Sequence, residues 1–287
     1  MLILKAYAKI NLALDVLHKR DDGYHQVEMI MQAINLADIV SLRELDSDII
    51  VAANTPALAC DTSNLAYQAA SLLRDTYRIK QGVHITLEKN IPMAAGLAGG
   101  STDAAAVLTG LNRLWQLGLT LEQLEELGAT LGSDVPFCLR GGTMKATGRG
   151  ELLMPLPDLP PCYVVLAKPK ANVSTAWVYQ NYRSENVVSH PDMAGMVGCL
   201  GKHDLHGVAN RLCNVLESVT MVQHSEIGDL KAAMLEYGAM ASLMSGSGPT
   251  VFGMVEDRRQ AENIARKISE CSNAEIIVTR TVAKVGK

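Results

Sequence analysis

Ile10, Leu12, Leu14 and Val16 alternate with Lys9, Asn11, Ala13 and Asp15. That period of two predicts a half-buried strand, with Lys9 and Asn11 on the face opposite the apolar set. Val83, Ile85 and Leu87 repeat the pattern further along. Between these strands, Leu65, Ala69, Leu72 and Leu73 fall at helical spacing within residues 64–77. After a stretch of small residues at 92–103, Ala104, Leu108, Leu111 and Trp115 line one helix face. Thr120-Leu-Glu-Gln123 reads as a capping box that opens a helix through about Leu131.

Pro155, Pro157, Pro160 and Pro161 break regular structure and mark a domain boundary, dividing residues 1–155 from 156–287. Beyond it, strands are expected at Tyr163–Ala167, Thr250–Val255 and Ile276–Val282, with helical segments around 204–222, 225–237 and 258–271. Strands alternating with helices on both sides of the break predict a two-domain α/β or α+β architecture.

At 287 residues the chain can build two medium domains or one large one. An apolar content of 48% with 20% charged residues is that of a globular protein and excludes general disorder. The net charge of −4, without a dense Lys/Arg stripe, argues against a nucleic-acid partner. Anionic ligands must therefore be held by local devices, such as amide-rich loops and single lysines. Cys60, Cys138, Cys162, Cys199, Cys213 and Cys271 are scattered without a Cys-x-x-Cys pair, which suits reduced cytoplasmic thiols. The N-terminal stretch lacks a signal peptide's long apolar segment, and no run of about twenty apolar residues suggests a membrane span. A cytoplasmic, membrane-free protein is expected.

Four segments carry candidate chemistry. Residues 92–103 read Pro-Met-Ala-Ala-Gly-Leu-Ala-Gly-Gly-Ser-Thr-Asp. Gly96, Gly99 and Gly100 allow left-handed backbone and close approach of N–H groups to an anion. Ser101 or Thr102 is placed to cap the following helix, whose free amides and dipole favour phosphate. The same loop would also serve as a plain turn packing a helix on a sheet. It lacks the Lys-Ser/Thr ending of a Walker loop, and no Gly-x-Gly-x-x-Gly follows a strand. Lys9-Ile-Asn11 projects a lysine from an early strand. In Gly132-Ser-Asp134-Val-Pro136, an aspartate sits in an apolar setting where a lone charge needs a partner. Ser245-Gly-Ser-Gly-Pro-Thr250 reads either as a plain Gly-Pro turn or as a second amide-rich loop closing on a ligand. Cys199, His203, His206 and Cys213 are metal-ligand types, but their irregular spacing and the helical character of the following Asn214-Val-Leu-Glu217 argue against zinc.

Taken together and in order, these segments resemble the signature motifs of the GHMP kinases, the superfamily of galactose, homoserine, mevalonate and phosphomevalonate kinases. Pro92–Asp103 matches the superfamily's nucleotide motif and Gly246–Thr250 its C-terminal glycine motif. The resemblance implies an α+β, two-domain GHMP kinase fold with the active site in the cleft between domains. The N-terminal domain would be of the ribosomal-protein type and the C-terminal one ferredoxin-like. It implies ATP and Mg²⁺ as cofactors. Asn64, Leu65 and the loop residues Pro92, Met93, Ala94, Ala95, Gly96, Leu97, Ala98, Gly99, Gly100, Ser101 and Thr102 would hold the nucleotide, with Ser101 a Mg²⁺ ligand. It makes Asp134 the general base and orienter of an acceptor hydroxyl, and Lys9 the residue that orients Asp134 and offsets phosphoryl charge.

Within the superfamily, Ala8-Lys-Ile-Asn-Leu12, Asp22-Gly-Tyr-His25 and Ser63-Asn-Leu65 are similar to one branch. Its acceptor is a cytidine diphosphate-linked methylerythritol, phosphorylated on its 2-hydroxyl in the non-mevalonate isoprenoid pathway. By that resemblance Tyr24 stacks on the cytosine and His25 hydrogen-bonds it. Asn11, Thr175, Gly246, Ser247 and Gly248 would line the acceptor site, in a monomer or weak homodimer. A GHMP kinase for another small alcohol, and a metabolite sensor without turnover, remain open alternatives.

Overall fold

The computed structural model describes residues 1–283. The chain opens with a long antiparallel hairpin, β1 (Leu2–Lys19) and β2 (His25–Leu45), followed by β3 (Ile49–Ala53), α1 (Leu65–Tyr77) and β4 (Gly82–Glu88). Next come α2 (Gly99–Leu114), α3 (Leu121–Leu131), α4 (Val135–Arg140), β5 (Thr143–Thr147) and β6 (Leu152–Pro155). The remainder holds β7 (Tyr163–Lys168), α5 (Thr175–Asn181), a 3₁₀ turn at Ser184–Asn186, α6 (Met193–Gly201), α7 (Leu205–Ala209) and β8 (Cys213–Asn214). It continues with α8 (Glu217–Gln223), α9 (Ser225–Glu236), β9 (Ala241–Met244), β10 (Val251–Val255), α10 (Arg258–Cys271) and β11 (Glu275–Arg280).

Two sheets result. The first runs β3-β4-β2-β1-β8, with β5 branching from β2 and pairing with β6; the second is antiparallel in the order β11-β7-β10-β9. The proline-rich stretch between β6 and β7 separates strands of the first sheet from those of the second. β8 crosses back, pairing in parallel with Ala13 and Leu14 of β1. Val282 also returns, its N–H donating to Ala33 O at 2.9 Å.

The Thr120/Gln123 capping box opens α3 as the sequence predicts, and the Asn64 side chain caps α1 by accepting from Ala66 N. One expectation fails around 204–222. The pairing of Cys213–Asn214 with β1 interrupts the helix, leaving α7 and α8 on either side, so Asn214 is strand rather than helix. The short helices α4, α5 and α6 carry too few turns to announce themselves by periodicity.

β1 is not half-buried. Every residue from Ala8 to Val16 is buried. Register shifts lie between Tyr7 and Lys9 and between Asn11 and Ala13. Each shift turns the alternating side chains to the other face. Thus Ala6, Leu14 and Val16 join the core that includes α1 and α2, whereas Ala8, Ile10 and Leu12 join a second core with Leu166, Leu243 and Phe252. The short stretch between the shifts aims Lys9 and Asn11 away from that second core, toward a cleft that Leu14 and Val16 also line.

Candidate active site

The small-residue loop ends differently from its sequence expectation. α2 starts at Gly99, and its N-cap is Ala98 in left-handed backbone (φ 62°) with no side-chain cap. Ser101 and Thr102 therefore do not cap the helix; they lie inside its first turns, where Thr102 Oγ1 donates to Tyr7 O at 2.8 Å. Of the three glycines, only Gly96 is left-handed (φ 73°); Ala94 and Ala98 take the other positive-φ positions, and Gly99 and Gly100 are helical. Gly96 also permits a close approach, since a Cβ there would lie 2.2 Å from Ser245 O. α2 runs for 16 residues, and the amides of its first turn, which lack intrahelical partners, are of the kind that suit an anion.

Lys9 sits where this loop meets the rest of the cleft. Its Nζ donates to Asn11 Oδ1 at 2.8 Å and to Gly96 O at 3.1 Å, and lies 3.5 Å from Asp134 Oδ2. The lysine is 4% exposed, so its charge is satisfied by these three partners. Asp134 precedes α4, but its side chain makes no capping bond and is free to face the cleft. The second glycine loop closes on the first: Ser245 Oγ donates to Gly96 O at 3.0 Å, and the hydroxyls of Ser247 and Thr175 are 2.8 Å apart.

An aromatic wall adjoins the Lys9–Asp134 pair. The His25 ring packs on Tyr179 at 5.3 Å between centroids, and the Arg149 guanidinium lies 5.0 Å over the Tyr24 ring. Burial, with a smaller contribution from Lys19, holds the His25 imidazole below its ordinary pKa. The Tyr179 hydroxyl is pushed well above the phenol range, first by burial and then by the Asp134 carboxylate. Tyr179 thus links the aromatic wall to the acidic centre. A single cavity of about 1060 Å³ takes in Lys9, Asp134, the first-loop residues, Tyr24, His25 and Ser247.

Two family models match the chain: the GHMP kinase N-terminal domain over residues 64–142 and the GHMP kinase C-terminal domain over residues 196–274. The chain belongs to the GHMP kinases. A Geobacillus kaustophilus protein named 4-diphosphocytidyl-2-C-methyl-D-erythritol kinase is 54% identical over 266 residues, covering 92% of this chain and 91% of the relative. A crystal structure of 4-(cytidine 5'-diphospho)-2C-methyl-D-erythritol kinase superposes with a TM-score of 0.82 at 34% identity, covering 98% of this chain and all of that one. A homoserine kinase from Cytophaga hutchinsonii, at 20% identity and a TM-score of 0.73, shares the fold.

In this GHMP kinase, most site residues expected from sequence converge on the one cavity. Lys9, Asn11, Tyr24, His25, Leu65, Asp134, Thr175, Gly246 and Ser247 line it, as do residues 92–96 and 98–101. Four do not. Asn64 uses its side chain on Ala66 N and Ala59 O, Leu97 is buried in the second core, and Thr102 is bonded to β1. Gly248 instead faces Met244, whose Sδ would be 2.6 Å from a Cβ there.

Tyr179, Arg149 and Lys89 are among the cavity residues that sequence reasoning missed. Tyr179 and Arg149 stand alone in unremarkable stretches. Lys89 is buried between two carboxylates, bonding Oδ2 of both Asp38 and Asp103, and donates to Gly99 O at 3.4 Å. Asp38 Oδ1 accepts from the N–H groups of Asn90 and Ile91. Asp103 is pushed up to about 7, chiefly by burial, with the Asp38 charge adding and Lys89 opposing. These groups tie β2, the end of β4 and the start of α2 together behind the loop. Elsewhere, His206 pairs with Glu256 and Cys213 donates to Ser189 O. Among the described residues no three His, Cys, Asp or Glu side chains converge as a metal site, and no helix is long and apolar enough to cross a membrane.

Proposed function

We propose that this GHMP kinase transfers the γ-phosphoryl group of ATP to the 2-hydroxyl of 4-diphosphocytidyl-2-C-methyl-D-erythritol, a step of the non-mevalonate route to isoprenoids. The observation that carries this reading is the shared cavity. An amide-rich loop and helix start suited to phosphates, a Lys9–Asp134 pair and a Tyr/His wall suited to a nucleobase open onto the same space. The names of relatives at more than half identity agree with it.

Phosphoryl transfer depends on positioning and on charge placed where it develops. The acceptor hydroxyl would lie at Asp134, which accepts its proton as the oxygen bonds phosphorus and ADP leaves. Lys9, held by Asn11 and Gly96, keeps Asp134 in place and faces the transferring group's negative charge. The amides around 96–101 hold the ATP phosphates, and Leu65 borders the adenine. Tyr24 stacks on cytosine, His25 reads its polar edge, and Thr175 and Ser247 flank the acceptor.

Mg²⁺ takes one or two protein oxygens and leaves its remaining positions to water and phosphate. The Ser101 hydroxyl, on the cavity wall at the start of α2, fits that small share. When bound, the metal would neutralise charge on the phosphate oxygens. We assign the domains to 1–155 and 156–287 with the site in the cleft between them, in a cytoplasmic monomer or weak homodimer.

The test is ADP release with Mg-ATP and, in turn, 4-diphosphocytidyl-2-C-methyl-D-erythritol, homoserine, mevalonate and galactose. Turnover with the cytidine compound alone is expected. Turnover with another alcohol would discard the roles of Tyr24 and His25, and nucleotide binding without any turnover would make the protein a sensor.

A further inference from the structure

The loop at 245–248 owes its place to a segment that lies outside the cavity. Asn214, at the end of β8, donates from Nδ2 to Met244 O and to Gly246 O, both at 2.8 Å, while its Oδ1 accepts from Leu216 N at 3.0 Å. Glu217 opens α8; its Oε1 accepts from Met244 N at 2.9 Å, and its other oxygen pairs with Lys231. One turn further, Thr220 Oγ1 donates to Ser247 O at 3.2 Å. Three polar side chains thus grip the backbone of one loop: Asn214 from the end of β8, and Glu217 and Thr220 from one face of α8.

We infer that Asn214, Glu217 and Thr220 are positioning residues for phosphoryl transfer, fixing the second glycine loop where it meets Lys9 and Gly96. Met244, Ser245 and Thr250 are fully buried and Ser247 nearly so. Their backbone groups need protein partners, and removing one leaves a buried carbonyl or amide unpaired. On its other side the loop has no slack. A Cβ on Gly246 would lie 3.3 Å from Gly96 O and 3.4 Å from Lys9 Nζ, and Ser245 is bonded to Gly96 O. Close-packed backbone transmits a shift at Met244 or Gly246 to the ammonium that faces Asp134. None of the three residues lines the cavity, so each acts through the loop. The inference rests on the proposed kinase reading.

The experiment compares wild type with Asn214→Asp, Thr220→Val and Thr220→Ser by steady-state kinetics, calorimetric MgADP binding and thermal melting. Asn214→Asp replaces a donor by a carboxylate facing two carbonyls. It should lower kcat by about 10- to 100-fold through misplacement of the centre, with the MgADP Kd within about threefold. Thr220→Val should lower kcat by roughly 3- to 10-fold, and Thr220→Ser, which keeps the hydroxyl, should restore most of it. A kcat within about twofold of wild type in Asn214→Asp would overturn the inference; if that variant does not fold, the same result in Thr220→Val would do so. Equal losses of kcat and MgADP affinity would also overturn it, since they mark general loosening. Absence of wild-type turnover with the cytidine substrate would overturn the proposed function, and this inference with it.

Discussion

Asp134 can be changed with little structural consequence because it caps nothing. Its side chain is 30% exposed and makes no hydrogen bond to α4, and Lys9 retains Asn11 and Gly96 as partners without it. Asp134→Asn should therefore shift stability by no more than about 1 kcal/mol in urea denaturation. ADP release should fall at least about 100-fold, the usual worth of a positioned base. Near-normal turnover would remove Asp134 from that role. His25 gives a pH signature. Its depressed pKa keeps the ring neutral near pH 7, with one donor and one acceptor nitrogen. As pH falls below the ordinary value of 6.5 and through the lowered one, the acceptor is lost. KM for the cytidine substrate should then rise more than KM for ATP, and His25→Gln should flatten the difference. The sign for stability agrees: the unfolded chain binds the proton first, so this group's contribution declines as pH drops below 6.5. A pH-independent acceptor KM would exclude the imidazole from base recognition.

At the scale of elements, Lys89 is the joint between β2, β4 and α2. Its side chain is 6% exposed, and those of Asp38 and Asp103 are 0% and 3% exposed. Lys89→Met leaves two buried carboxylates without their cation and should cost about 3–5 kcal/mol in chemical denaturation. Proton uptake by Asp103, already raised to about 7, would soften the loss in acid. Adding Asp103→Leu should recover part of the stability, because a buried charge left alone costs more than an apolar replacement. No loss in Lys89→Met would show that water reaches the pair. α2 itself illustrates a limit of local reading. The Ser-Thr pair after the glycines looks like a cap, yet the backbone turns three residues earlier, at Ala98 in left-handed conformation, and Thr102 donates instead to Tyr7 of β1.

The whole molecule is joined by its second core, which mixes Ile10, Ile34 and Leu97 with Leu166, Leu243 and Phe252. β8 and the Val282 segment add further ties between the chain's ends. Neither half keeps a complete core alone, so unfolding should be one cooperative event. The two tryptophans, Trp115 at the end of α2 and Trp177 in α5, report on the two halves. Fluorescence midpoints of Trp115→Phe and Trp177→Phe, each corrected for the substitution's own shift, should coincide with the circular-dichroism transition. Two separated transitions would mean that the halves unfold independently.

By itself the sequence determined what depends on near neighbours. The alternation in β4, the capping box of α3, the apolar stripe of α10 and the small-residue loop before α2 are set by spacing within a few residues, and they were legible there. Most of the side chains that the ordered motifs named also meet in the cavity. Tertiary structure decided the rest, because the deciding contacts join distant positions. Lys9 meets a carbonyl 87 residues away, and Ser245 meets the same carbonyl from 149 residues away. The register shifts that turn Lys9 inward, the strand at Asn214 that splits an expected helix, and the pairing of Lys89 with two carboxylates depend on which surfaces pack. A periodic pattern shows which face of an element is apolar; only the packed fold shows what that face, and the polar one opposite, will touch.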